Sequence, residues 1–415
     1  MRASYPTYKS TSIPWLPQMP EHWDALKAKH IFKERSEKGY PDEPLLAATQ
    51  TKGVVRKEEY ETRTVTAQKD FHLLKLVKEE DFVISLRSFQ GGIEYAYHRG
   101  IISPAYTIFY ERNKVPVNKA FYRHLFKSHP FINSLTLFVT GIREGQNIDY
   151  AEFKDSLLPF PPLPEQTAIA NYLDAKTEQI NRFIAKKEKL IVLLKEQKQA
   201  VINELLEDKE GKWERRKLRH AIKGKLKYGA NESGIPYNPE YPRYIRITDF
   251  GSDGKLRNDG MLSLLPSVAK DYILKDGDIL FARSGGTVGK TFQYKKSDAD
   301  ASLSCYAGYL IKAEPNEKVI LSDFLYIYTL SGYYEQWKQG IFNKATIENI
   351  GADKYSQLLI PVPPIETQKL ILSNINSETT KIDDAILRIE REIEKVKELK
   401  QSLIAEVVTG KIKVA

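Results

Sequence analysis

The sequence predicts an α/β (α+β) fold: two tandem domains of mixed helices and short strands, joined by two long helices that form an antiparallel coiled coil, the whole an internal pseudo-two-fold repeat. Three observations predict it. A 48-residue stretch occurs twice, each copy carries a sustained apolar heptad, and strand-like segments separated by turn signals precede each copy.

Residues 159–206 and 361–408 align without a gap at a spacing of 202 residues, and 16 of the 48 pairs are identical. Pro161/Pro363, Gln166/Gln368, Ile169/Ile371, Ile180/Ile382, Ile184/Ile386, Ile191/Ile393 and Glu204/Glu406 are among them. Duplication accounts for this most simply. Upstream, "HWDALKAKHIFK" from His22 is matched by "KWERRKLRHAIK" from Lys212, with Trp23/Trp213, Lys27/Lys217, His30/His220 and Lys33/Lys223 in step. The spacing there is 190 residues, so the interiors have drifted in length while the flanks agree. The paired histidines suit packing or capping better than catalysis.

Each copy opens on a Pro-rich stretch, "PFPPLP" or "PVPP", then turns helical. Apolar residues run Ile169, Leu173, Ile180, Ile184, Ile191, Leu194 in the first and Ile371, Ile375, Ile382, Ile386, Ile389, Ile393 in the second, in steps of three, four or seven. A helix of about 40 residues is roughly 60 Å long. Proline ahead of each helix keeps the incoming chain extended, and Gly410 is placed to stop the second. Two similar seams in one chain favour pairing with each other over packing on their own domains. "PFPPLP" also fits a polyproline ligand, but its recurrence before a second helix favours a hinge.

The interiors are strand-like at 82–87, 105–110, 244–248, 278–283 and 308–313, with turn signals "GSDG" and "KDGD". "EEDFVISLRSFQGG" resembles "KDGDILFARSGG".

The 415 residues carry a net charge of +9 and a pI near 9.1, which fits a polyanionic partner. No apolar run is long enough for a membrane span, the first 20 residues lack a signal peptide's apolar centre, and the single cysteine, Cys305, makes neither an internal disulfide nor a Cys-rich zinc site. A cytoplasmic location is expected. "ARSGGTVGKT" (282–291) mimics a phosphate loop, but Ser284 stands where the first glycine belongs. It is either a Gly-rich turn presenting Arg283, Thr287 and Lys290 to nucleic acid or a plain polar β-turn. No methyltransferase, metalloprotease or nuclease constellation appears, so no catalytic or metal site is expected. "GKWERRKLRHAIKGKLK" carries eight basic residues against Glu214, as a phosphate contact or a solvated linker face.

The arrangement resembles the DNA specificity (S) subunit of type I restriction–modification systems. The resemblance rests on "LPFPPLPEQ" and "LIPVPPIETQ", each followed by a long helix ending in "LKEQKQAVINELL" or "LKQSLIAEVVTGKI". It also rests on "IPWLPQMPEHW" and its echo "KWERRKLRHAI", and on "SFQGGIEYAYHRGIISPAYTIF" and "DGDILFARSGGTVGKT" inside the variable parts. It spans nearly the full chain. The second hinge departs from the pattern, with Glu366-Thr367-Gln368 in place of an adjacent Glu-Gln pair.

The resemblance implies a non-catalytic DNA-binding protein with two target recognition domains, each reading one half of a bipartite asymmetric site in double-stranded DNA, with the helices as a ruler between them. It implies two methyltransferase subunits that supply S-adenosylmethionine-dependent adenine methylation, and restriction (translocase/endonuclease) subunits using ATP and Mg. This chain would hold no cofactor. Residues 1–157 form the first recognition domain, 158–208 the first hinge and helix, 209–358 the second recognition domain, and 359–415 the second hinge and helix. Arg and Lys suit guanine, and Asn and Gln suit adenine. Near strand ends and before the hinges these types are Arg87, Gln90, Arg143, Gln146 and Asn147 in the first half. In the second they are Arg246, Arg283, Lys290 and Lys344, with Thr248, Thr287 and Thr346 as hydroxyl partners. A stand-alone repressor-like DNA-binding protein and a coiled-coil scaffold remain as alternatives.

Overall fold

A computed structural model of the chain describes residues 4–59, 70–86, 88–112, 114–140, 147–251, 254–342 and 349–414. It divides into two compact units, residues 1–188 with 390–415, and residues 189–389.

The first unit is built on strands β1 (Asp24–Lys27), β2 (Phe32–Arg35), β3 (Leu46–Thr49), β4 (Gly53–Arg56), β5 (Phe82–Ile84), β6 (Glu94–Tyr95) and β7 (Thr107–Glu111), helix α1 (Lys119–Phe126), strand β8 (Leu157–Phe160) and the start of helix α2 (Leu163–Leu205). Strands β2, β7, β5 and β6 form an antiparallel sheet in that order. Side chains alternate across a strand, so Phe82, Ile84 and Phe109 enter one core while Val83 and Ile108 enter another. The first core is aromatic. Phe32, Phe82, Phe109 and Phe126 are fully buried, with neighbouring ring centroids 5.1–6.0 Å apart. Asn118 caps α1 by accepting the Phe121 N–H at 3.2 Å.

The second unit repeats this plan with β9 (Glu214–Lys217), β10 (Lys227–Tyr228), β11 (Ile279–Ala282), β12 (Thr291–Gln293), β13 (Leu310–Ala313), helix α3 (Ser322–Thr329), strand β14 (Leu359–Val362) and the start of helix α4 (Ile365–Val408). Its sheet runs β10, β13, β11, β12, the same order as in the first unit. Ile279 and Phe281 face one core and Leu280 another. Asp81 and Asp278 stand just ahead of the matching strands β5 and β11. Each accepts the backbone N–H three residues earlier at 2.8 Å, and each meets a cation, Arg35 at 2.8 Å or Lys312 at 3.3 Å. Burial raises both carboxyls from their ordinary value. A second sheet, absent from the described part of the first unit, pairs Arg243–Ile245 with Ser304–Tyr306 and Leu262–Ser263.

The repeated flanks meet in space. Strand β8 pairs antiparallel with β1, Leu157 opposite Lys27, and β14 pairs with β9, Leu359 opposite Lys217. Pro159 and Pro361, the first proline of each hinge, therefore lie in two-stranded ribbons, where a missing N–H is tolerated. His30 and His220 are both exposed and lie in the last turns of the short helical segments 28–31 and 218–220, a place favourable to a basic side chain.

Helices α2 and α4 have 43 and 44 residues. In the first unit they run antiparallel: Lys187 pairs with Glu392 at 2.8 Å, and Lys400 donates to Asn181 at 2.8 Å. In the second unit Lys198 pairs with Asp383 at 2.7 Å. Lys198 and Lys400 are repeat partners, as are Asn181 and Asp383, so each unit makes the same contact. The seam residues Ile371, Ile375, Ile382, Ile389 and Ile393 of α4 are buried. The helix stops at Gly410, whose φ of +72° and whose approach to Pro20, 2.4 Å from where a Cβ would lie, admit only glycine. No helix among the described residues is long and apolar enough to cross a membrane.

Candidate nucleic-acid interface

In the second unit the glycine-rich stretch is a connection between β11 and β12, with a single 3-10 turn at Gly285–Thr287. It is a hairpin turn. Arg283 leaves β11 clamped on both sides: its N–H donates to Tyr309 O at 3.0 Å and its carbonyl accepts from Ile350 N at 2.9 Å. Its guanidinium carbon lies 5.0 Å from the Tyr228 ring centroid, and the Tyr228 hydroxyl accepts the Ala352 N–H at 3.0 Å. A cation over an aromatic face is both attracted and oriented. Tyr309 is 64% exposed and Tyr228 43%, and a Cβ added at Gly285 or Gly286 would meet nothing. Arg283, half-buried itself, thus lies over the accessible Tyr228 ring, with its backbone beside that of exposed Tyr309, at the rim of an open glycine turn.

Thr287 and Lys290 point elsewhere. They line a cavity of about 790 Å³ together with Lys198, Phe250 and Lys338. Lys338 pairs with Glu335 at 2.6 Å, while Lys290 is exposed. Phe250 and Phe292 stack at 4.0 Å on this side. Arg246 is held by its own neighbourhood. Its guanidinium donates to Asp249 at 2.6 Å and to Gly260 O at 2.9 Å. Thr248 is exposed on the turn between them. The structure brings Thr287 and Lys290 together, sets Arg283 at the rim and ties Arg246 inward. Lys344 and Thr346 lie outside the described residues.

In the first unit Arg87, Arg143 and Gln146 also lie outside the described residues. Asn147 is described for its backbone alone, which pairs with Thr140. Gln90 is exposed on the short helix Ser88–Gly91 and accepts from Gln50 Nε2 at 3.3 Å.

Sequence reasoning missed several residues. Arg243 is 1% exposed and donates to Asn258 at 2.9 Å and to the carbonyls of Arg257 and Ala299, fixing two loops to the sheet. All three residues of its strand, Arg243–Ile245, are buried, so no alternation marks it out, and arginine is rarely buried. Tyr309 gave only a strand signal, and Tyr228 gave none. Among the described residues no three His, Cys, Asp or Glu side chains come together as a metal site would need.

Residues 202–395 match the family model described as the type I restriction modification DNA specificity domain. The chain is 25% identical over 333 residues to the type I restriction enzyme EcoKI specificity subunit of Escherichia coli K12, covering 75% of this chain and 68% of that one. It is 23% identical over 363 residues to the MjaVIII specificity subunit of Methanocaldococcus jannaschii, covering 82% and 80%. A chain from the solved structure "Structural basis underlying complex assembly and conformational transition of the type I R-M system" has a TM-score of 0.69 and 15% identity, covering 94% of this chain and 98% of that chain, which supports the fold. The repeat and the doubled sheet order agree with these likenesses: the chain is similar to type I restriction–modification DNA specificity subunits, and its residues 202–395 match that family's DNA specificity domain.

Proposed function

We propose that each unit of this DNA specificity subunit reads one part of a bipartite asymmetric site in double-stranded DNA. The observation that carries the reading is one scaffold used twice with different surfaces. Sheet order, hinge ladders and helix contacts repeat, while the segment after the central strand is a short helix in one unit and a Gly-rich 3-10 turn in the other. Two readers of different surface have no reason to prefer a palindrome.

The chain recognises DNA and is not itself the catalyst. It acts with the other subunits of a restriction–modification complex. We assign it two methyltransferase subunits, which bind S-adenosylmethionine, and restriction subunits, which use ATP and Mg, all working on cytoplasmic DNA. The recognition domains are placed at 1–157 and 209–358. Arg283, Thr287 and Lys290 are assigned to the half-site of the second unit, and Gln90 to that of the first.

The test is single-molecule sequencing of genomic methylation with and without the gene. Loss of one bipartite methyladenine motif on deletion supports the assignment. An unchanged methylome in a strain expressing all subunits counts against it.

A further inference from the structure

We propose, resting on the DNA-recognition reading, that the tip of the β3–β4 hairpin and Gln90 form an adenine-reading edge of the first unit, positioned by the half-buried Lys127 paired with buried Glu94. Strands β3 and β4 pair from Leu46↔Arg56 to Thr49↔Gly53, which leaves Gln50, Thr51 and Lys52 exposed at the tip. The tip is braced. Thr49 Oγ1 donates to Gly53 O at 2.9 Å and accepts the Lys52 N–H at 2.9 Å. A two-stranded ribbon is narrow enough to enter the major groove.

Gln50 Nε2 donates to Gln90 Oε1 at 3.3 Å. That bond leaves Gln50 Oε1 as an acceptor and Gln90 Nε2 as a donor at the surface. Adenine offers the complement in the major groove, an N6 donor beside an N7 acceptor.

Exposed glutamines alone are ordinary. What lies beneath these is not. Lys127 Nζ donates to Gln50 O at 3.1 Å, to Gly91 O at 2.8 Å and to Glu94 Oε1 at 2.7 Å. Glu94 is 1% exposed, and its Oε2 has no hydrogen-bond partner among the described residues. One ammonium thus ties the hairpin, the Gln90 segment and strand β6 together.

The second unit shows that the fold does not need this ion pair. Glu94 lies opposite Val83 as Phe292 lies opposite Leu280. Lys127 precedes Ser128, whose hydroxyl bonds Leu125 O, as Leu330 precedes Ser331, whose hydroxyl bonds Tyr328 O. The equivalent positions are therefore Phe292 and Leu330, both apolar. Replacing an ion pair at such depth by apolar residues is often neutral or stabilising, so we assign this one to the geometry it fixes. Here that geometry is the juxtaposition of Gln50 and Gln90.

The experiment reads the methylated motif produced by the full set of subunits, for the wild type, Q50A, Q90A and the double variant K127L/E94L. Q50A and Q90A are expected to relax one A·T position in one half-site, lowering discrimination roughly 5- to 150-fold, with the other half-site unchanged. K127L/E94L, which installs the apolar character of the second unit, is expected to relax the same position while the protein stays folded and methylation continues. An unaltered motif in Q50A and Q90A, relaxation at a G·C position, or equal degradation of both half-sites overturns the proposal. A wild type that yields no bipartite motif overturns the underlying reading instead, so the two failures are distinguishable.

Discussion

Gln166 and Gln368, fully buried and 202 residues apart, make the same pair of bonds. Gln166 Oε1 accepts the Asn118 N–H at 2.9 Å and its Nε2 donates to Pro161 O at 2.8 Å. Gln368 Oε1 accepts the Leu321 N–H at 2.8 Å and its Nε2 donates to Pro363 O at 2.8 Å. Asn118 and Leu321 are the N-cap residues of α1 and α3. Each glutamine therefore rivets a Pro-rich hinge to the helix N-terminus of the same unit. The altered spacing to the preceding glutamate in the second hinge leaves this contact intact.

Replacing Gln166 by leucine strands the Asn118 N–H and the Pro161 carbonyl, and replacing Gln368 strands the Leu321 N–H and the Pro363 carbonyl, together with that of Val319, to which Gln368 Nε2 also donates at 3.0 Å. Each orphan costs about 1–3 kcal/mol. Urea denaturation of Gln166→Leu and Gln368→Leu is expected to show losses of similar size. A loss in only one variant would refute the equivalence.

Arg283 is aimed by Tyr228 and clamped through its backbone. Arg283→Ala should relax the half-site read by the second unit by about 1–3 kcal/mol and leave the other alone. Tyr228→Ala should reproduce part of that effect, and Tyr228→Phe, which keeps the ring, should do less. Recognition lost equally in both half-sites would count against the assignment.

Burial raises the Glu94 carboxyl from 4.5 to about 7, against the pull of Lys127. With the folded pKa above the unfolded one, the unfolded chain releases its proton first. The contribution of Glu94 to stability is therefore present below pH 4.5 and lost as pH rises through about 7. Glu94→Gln has no proton to release. Its denaturation midpoint should fall less than that of the wild type across this window, and equal slopes would contradict the account.

Cys305 is fully buried beside Arg243, and burial pushes its thiol up to about 12. A disulfide reagent at neutral pH should leave the native thiol unmodified and titrate one group after denaturation. Rapid native reaction would mean that the strand pairing of 243–245 with 304–306 opens readily.

The duplicated flanks were legible because identical side chains do identical work. Gln166, Gln368 and the hinge prolines recur since each closes the same contact. The strands of the interiors were visible in "FVISLR" and "DILFAR", but their shared order was not, because pairing is set by partners far along the chain. Site residues were harder. Arg246 has the right chemistry for guanine, yet Asp249 three residues on claims it. Lys127 and Glu94 lie 33 residues apart and meet only once α1 has packed on the sheet, so no local pattern announces them.

The ladder that joins each opener to its hinge has a consequence for how such a chain diversifies. Ala28 N–H bonds Ser156 O at 2.9 Å, and Leu218 N–H bonds Leu358 O at 2.8 Å. Everything between those points leaves and returns through one doorway. Lengthening a closed loop costs only about 0.6 kcal/mol per doubling, so the frame is nearly indifferent to what it encloses. Each interior is a cartridge: a different one can be loaded through the same doorway so long as it keeps the helix N-terminus that the frame's glutamine holds.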